Sequence, residues 1–387
     1  MPRTSYADRR YAVRVTSLLA LQTPLVVIDA PTMTANIARM AEAAAAGDKQ
    51  LRPHGKTHKS AWVARQQVAA GAVGLACAKP GEAEVFAAAG IDDLRIAYPI
   101  APSYAPRVLS LMDGVRLSTI VDDVGVAQAW SNAMEAAGRR LEVLVKIDVG
   151  THRCGVDPRE RDAVAFIEAV SRMPGLDLRG LLSHAGHAYA ATSADAVAQI
   201  ARDEAAMMAE LVAGCAARGI ELAEVSVGST PTARVSATLD GITELRPGNY
   251  VFHDRTQVGL GVVGWEGCAL RIHASVVSFP APDRLVLDAG SKVLSSDGAR
   301  GFAGAAPGFG AVLGADGQPA GAFVIERLSE EHAVVRVTGP TNLRIGDRVT
   351  IVPNHACVVA NLTNGYVVAD GDQVLERLPV DARGCVN

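Results

Sequence analysis

The chain has 387 residues, 49% of them hydrophobic and 20% charged, enough for one barrel-sized domain with an appendage or for two to three ordinary domains, and too apolar for a disordered chain. A formal net charge of −4, with no basic run and no basic-aromatic alternation, removes the electrostatic case for nucleic acid and points to a small-molecule partner. No apolar stretch reaches the roughly 18 residues of a membrane span, and the six cysteines (Cys77, Cys154, Cys215, Cys268, Cys357, Cys385) show no CxxC spacing, so neither a membrane protein nor a disulfide scaffold is expected and a cytoplasmic location is the default.

The N-terminal "MPRTSYADRRYAVR" has basic residues without an apolar core, unlike a secretory signal. Next, "TPLVVIDA" reads as a strand, followed by a helix over "PTMTANIARMAEAAAA". From residue 51 to about 250 one unit then repeats: a short β-rich run, a turn, and an Ala-rich segment of helical period, several ending at Gly. The β-like runs are "QLRPHGK", "VGLACA", "LRIAYP", "RLSTIVD", "LEVLVKID", "LRGLLSHAG", "EVSVG" and "ITELRPGNYVF". An open doubly wound sheet gives a similar local pattern, but eight such units favour a (β/α)8 TIM-type barrel.

Beyond residue 265 the texture changes to alternating, Val-rich runs separated by Gly, Pro and Asp, the pattern of a C-terminal antiparallel β domain. The predicted organisation is an N-terminal segment, 1–24, associated with the β domain; a barrel, 25–264; and the β domain, 265–387.

Read as a strand, "LRPHGKTHKS" sends Arg52, His54, Lys56 and His58 to one face and Lys59 to the other. At the mouth of a barrel the first face points inward, and an amine desolvated among other cations is the kind that forms a Schiff base. Other strand ends carry Arg153 in "GTHRCGV", and His184, His187 and Tyr189 in "LSHAGHAY". The turn "VGSTPT" (Gly228, Ser229, Thr230) follows the seventh run, and "ELRPGNYVF" (Arg246, Gly248, Asn249, Tyr250) forms the eighth. Loops after strands seven and eight are the recurring phosphate site of such barrels, so a lysine after strand one opposite them suggests pyridoxal phosphate (PLP). In the β domain, "VPNHAC" sets His355 and Cys357 two apart, on one side of an extended strand, a spacing that fits half of a zinc site completed by water or substrate and, more commonly, a buried cysteine beside a hydrogen-bonded histidine.

These motifs in this order resemble the fold-type III PLP enzymes of the D-threonine aldolase and D-serine dehydratase group, relatives of alanine racemase. The resemblance covers residues 22–384. It implies a PLP barrel followed by a β domain, a homodimer, and Lys56 as the lysine that holds the cofactor. It also implies Arg153 near the phenolic oxygen, His184 against the ring, Gly228, Ser229, Thr230, Gly248 and Asn249 at the phosphate, and Arg246 at the ring nitrogen. His355 and Cys357 would hold a divalent metal, Zn or Mn, near the β-hydroxyl of a 3-hydroxy-D-amino acid. Proton transfer would fall to Lys56 and to one of His54, His58, His187 and Tyr189, each of which could equally be a hydrogen-bonded wall residue.

Two reactions fit this arrangement: retro-aldol cleavage to glycine and an aldehyde, towards which the tail "VDARG" leans, and dehydration to a keto acid and ammonia, towards which the soft Cys357 donor leans. Aldol cleavage is the expected reaction and dehydration the alternative. An amino-acid racemase, a non-catalytic PLP-binding barrel and a metal-dependent hydrolase using His54, His184 and His187 are the other classes considered.

Overall fold

A computed structural model describes residues 16–298, 300–301 and 307–387. All eight sequence-derived barrel strands form: β2 (Gln50–Leu51), β3 (Leu75–Cys77), β4 (Asp93–Pro99), β5 (Arg116–Val121), β6 (Leu141–Lys146), β7 (Leu176–Leu182), β8 (Glu224–Val227) and β9 (Glu244–Leu245), with β1 (Leu25–Asp29) preceding them. They pair in parallel in the order β2-β9-β8-β7-β6-β5-β4-β3. A bridge between His54 and Ala76, with Ala76 N donating to Pro53 O at 2.8 Å, joins the two ends into a closed barrel. The outer helices start where the sequence offers side-chain caps, as at Asp123, Asp162 and Ser193. Three of the units turn back at glycines of positive φ, Gly90, Gly138 and Gly219.

The second sheet has nine strands and is built from β10 (Leu270–Ala281), β11 (Arg284–Leu287), β12 (Ala311–Leu313), β13 (Phe323–Leu328), β14 (Ala333–Val337), β15 (Arg348–Val352), β16 (Gly365–Asp370) and β17 (Gln373–Pro379), together with β1. The first strand therefore does not lead the barrel. It lies antiparallel to β10 and parallel to β16, with Val27 opposite both Arg271 and Val367. Paired on either side, "LVVI" reads as a continuous apolar run for that reason. Ser17 and Leu18 join the same sheet through Gln373 and Asp372, while residues 1–15 of the expected N-terminal segment lie outside the described residues.

The shortest barrel strands, β2 and β9, pair over only two residues beside the closing bridge. Side chains supplement that short ladder. Inside the barrel Arg52 Nε donates to Glu244 Oε2 at 2.7 Å and Arg52 Nη1 to Asp93 at 2.5 Å, while Arg95 Nη1 reaches the other oxygen of Glu244 and Arg95 Nη2 reaches Glu224 at 2.5 Å. Glu244, Arg52 and Arg95 are each at most 1% exposed. Burial alone would push the Glu244 carboxyl up, but Arg95, Arg52 and the Ser226 hydroxyl hold it down at about 2.

Removing one member of such a cluster leaves the others buried and uncompensated. Glu244→Gln is expected to lower the unfolding free energy by about 3 kcal/mol. Because the folded value lies below the unfolded one, the wild-type advantage is present above about pH 4 and is lost as pH falls towards 2. Denaturant melts of both proteins across that range check this, and equal stability at pH 7 would refute it.

Candidate active site

At the carboxyl ends of the barrel strands, against the helix Ala356–Leu362 of the β domain, lies a cavity of about 940 Å³. Of the sequence-derived residues, His54, Lys56, Arg153, His184, Tyr189, Gly228, Ser229, Thr230, Arg246, Gly248, Asn249, His355 and Cys357 line it. His58, His187 and Tyr250 do not.

Their absence has local causes. The strand stops at Leu51, and a 3-10 turn at Gly55–Thr57 ends the alternation after His54. His58 is consequently turned into the wall: it is 0% exposed, packs on Phe86 with centroids 5.9 Å apart, and its Nδ1 accepts from Ser60 N at 3.1 Å. His187 sits in the 3-10 turn Gly186–Ala190 and packs over Gly150, whose missing side chain would lie 3.4 Å from its ring. Tyr250 is buried, its hydroxyl accepting from Gln67 at 3.0 Å.

Two histidines and a tyrosine that line the cavity are uncharged. His54 Nδ1 faces Lys56 N at 3.4 Å, and burial together with the charges of Lys56 and Arg246 holds its imidazole well below the usual histidine range, so it is neutral at pH 7. His184 Nδ1 lies 2.6 Å from Gly228 O; a carbonyl only accepts, so this nitrogen carries the proton. Burial and the Lys56 charge likewise keep His184 neutral. Burial raises Tyr189, which remains a protonated phenol.

His355 and Cys357 meet, though not by strand alternation. The strand β15 ends at Val352, His355 caps the following helix, and Cys357 lies in its first turn. Burial would push the His355 imidazole down, but Cys357, Asp254 and Asp297 hold it up at about 10. Burial would push the Cys357 thiol up, yet His355 beside it brings it below the usual thiol range. Asp297 Oδ2, 2.6 Å from His355 Nδ1, orients the ring, and Cys357 Sγ lies 3.3 Å from Thr57 Oγ1. No group of three His, Cys, Asp or Glu side chains suited to a metal occurs among the described residues, so a cation here would take two protein donors and complete its shell from elsewhere.

The floor of the cavity fits a phosphorylated ring. A Cβ on Gly228 would come 2.9 Å from the Arg246 backbone, and one on Gly248 would come 2.8 Å from Thr57 Oγ1, so glycine at both positions is what lets these turns pack so closely against Arg246 and the 54–57 segment. Asn249 Nδ2 donates to Asp254 at 2.5 Å while its Oδ1 and the Nε of Arg246 are buried without partners. Arg246 is held by Ser226 Oγ at 2.6 Å and by the Ser183 carbonyl, and although burial brings it down to about 10 it stays charged at neutral pH.

Sequence reasoning missed Lys146, Thr57, Asp254 and Asp297, all in the lining. Lys146 had a signal, being the one charge in the apolar run "VLVKI" and two positions before Asp148. Its Nζ donates to Ile147 O at 2.9 Å, and burial, with Arg246 close by, brings it down to about 8.

Two family descriptions match the chain: "Alanine racemase, N-terminal domain" over residues 28–256 and "Putative serine dehydratase domain" over residues 269–369. The chain is similar to D-threo-3-hydroxyaspartate dehydratase of Delftia sp., with 38% identity over 94% of this chain and 98% of that one. The solved structure of that dehydratase superposes with a TM-score of 0.87 at 35% identity, covering 94% and 98% of the two chains. D-threonine aldolase of Arthrobacter sp. is 32% identical over 95% of this chain and 94% of the aldolase. Among the solved relatives are two variants of the dehydratase, in which a histidine and a cysteine two residues apart are replaced by alanine, the cysteine variant being metal-free.

A lysine with a lowered value costs stability wherever it is charged in the fold, and that cost fades between about pH 8 and pH 10 as the unfolded chain alone stays protonated. Lys146→Met is therefore expected to stabilise the cofactor-free protein at pH 7 by on the order of 2 kcal/mol, with the gain shrinking towards pH 10. Urea unfolding at the two pH values measures it, and a variant no more stable at pH 7 would contradict the assignment.

Proposed function

This chain belongs to the fold-type III PLP enzymes that couple an alanine racemase-type barrel to a D-serine dehydratase-type β domain, and we propose that it is a PLP- and metal-dependent lyase that removes the β-hydroxyl of a 3-hydroxy-D-amino acid, giving a keto acid and ammonia. The observation that carries the choice of dehydration is the cysteine donor Cys357 beside His355 in the cavity wall, matched in spacing by the histidine and cysteine replaced in the dehydratase.

When bound, PLP supplies a carbonyl for the substrate amine and an electron sink, and the metal a Lewis acid for the hydroxyl. Lys56 offers the amine that would hold the cofactor, and once freed it is the base for the α-proton. Arg246, fixed from below and charged, would face the ring nitrogen without giving it a proton. His184 Nδ1 is committed to Gly228 O, so its ring position is set before any ligand arrives. Gly228, Ser229, Thr230, Gly248 and Asn249 would receive the phosphate, and Arg153 would approach the phenolic oxygen. His355 and Cys357 would present two metal donors, Asp297 fixing the first and Thr57 the second. A thiolate in such a shell suits zinc better than manganese.

Retro-aldol cleavage is the second reading, supported by the D-threonine aldolase relative. The tail "VDARG" does not discriminate, because Asp381 accepts from Ala61 N at 2.7 Å and Ala382 N donates to Lys59 O, which are packing roles. The homodimer implied by the family is part of this proposal.

In a product assay on D-serine, D-threonine and D-3-hydroxyaspartate the proposal expects keto acid plus ammonia; glycine plus aldehyde would replace it with the aldol reading. Chelation is expected to abolish turnover and zinc to restore it, and full activity after thorough metal removal would sink the metal role. Lys56→Ala is expected to lose the absorbance band at about 420 nm that a lysine-bound cofactor gives, whereas its retention would move the cofactor to another lysine.

A further inference from the structure

Lys59 is the other lysine of "LRPHGKTHKS", and the chemistry above leaves it unused. Its backbone lies at φ 49, in the left-handed region that a lysine holds only where its surroundings enforce it. The side chain is 6% exposed, with Nζ 2.7 Å from Glu82 Oε1 and donating to the carbonyls of Ala382 at 3.3 Å and Cys385 at 3.5 Å. Further bonds dock the same segment: Ala382 N to Lys59 O at 2.9 Å, Gly81 N to Asn387 O at 2.8 Å, and Gly384 N to Asn361 Oδ1 at 3.2 Å.

A Cβ on Gly81 would stand 2.9 Å from Asn387 O and 3.3 Å from Cys385 Cβ, so this glycine is what lets the segment come so close. Residues 381–387 thus bridge the barrel and the helix that His355 caps. Cys385 and Val386 line the cavity, as does Asn361 from that helix.

We infer that residues 381–387 form the wall facing the substituent on the substrate's Cβ, that Cys385 and Val386 set which substituents are accepted, and that Lys59 is the positioning residue holding this wall. The inference rests on the proposed function: Asn361 stands one helical turn after Cys357 and lines the same cavity as Cys385 and Val386, so a hydroxyl held at His355 and Cys357 would leave the rest of Cβ towards them. Val386→Ala widens the pocket directly. Gly81→Ala displaces the wall without touching the cavity, and alanine suits a helical first turn better than glycine.

Steady-state kinetics of the holoenzyme on D-serine, D-threonine and D-3-phenylserine tests this. Both variants are expected to raise the kcat/KM ratio of D-3-phenylserine to D-serine by about tenfold, mainly through KM. Lys59→Ala should do the same while keeping its absorbance band, and Lys59→Arg should recover part of the wild-type ratio. An unchanged ratio in Val386→Ala and Gly81→Ala, or an equal fall in kcat on all three substrates, overturns the inference. Wild-type inactivity on all three and on D-3-hydroxyaspartate overturns the proposed function instead, and alkylation mapped by mass spectrometry then decides the wall alone. Cys385 is expected to react about tenfold faster in Gly81→Ala than in wild type, with Cys154 unaltered; equal rates at Cys385 overturn the docking.

Discussion

The pairing of Glu244 with Arg52 and Arg95 is the interaction on which the rest of the molecule depends. Strands β2 and β9 share only two residues and so few backbone bonds, and the three buried side chains tie the end of β2 to β4 and β9 across the interior. The same carboxylate reaches upward: its Oε1 accepts from Ser226 Oγ, which in turn accepts from Arg246 at 2.6 Å. Closure of the barrel and placement of a cation on the cavity floor are therefore one network. Glu244 and Arg246 share the inward face by the period of two, as do Arg52 and His54.

The eight barrel strands and the second sheet were legible because each is marked by an apolar run and a breaker, and the chain obeys local pattern almost throughout. The exceptions share a cause. Strand alternation applied to "LRPHGKTHKS" holds from Arg52 to His54 and fails at Gly55, where the chain tightens into a 3-10 turn, so Lys56 reaches the cavity while His58 does not. At "VPNHAC" alternation gives the right meeting of side chains through the wrong geometry, since a helix begins there. Period reasoning is valid only while backbone dihedrals stay constant, and functional residues sit where those dihedrals change. Partners supplied from afar, such as Asp297 for His355, leave no trace in local sequence.

The cavity draws on both halves of the molecule, and the division of labour is chemical. Barrel strand ends supply cations and glycine turns, which suit an anionic, planar cofactor. The β domain supplies a cysteine sulfur and an imidazole, which suit a soft cation, together with the apolar edge around Val386. A lysine commits the barrel to carbonyl chemistry on an amine, but the bond that breaks is chosen from the opposite side. Relatives with related barrels can in this way diverge in reaction by changing a few residues some three hundred positions downstream.

The first strand, β1, lies between β10 and β16, whose pairing residues begin at Leu270 and Val367. On a growing chain it is made well before its first neighbour, β10, and gains its second, β16, only near the end. Its run of Val26, Val27 and Ile28, buried in the finished sheet, must meanwhile remain unpaired. Loop closure over such a separation is slow, and an apolar edge left open in the interval is the kind that joins other chains. This topology therefore makes the yield of native protein sensitive to synthesis rate, temperature and chaperone supply, even where the finished molecule is stable.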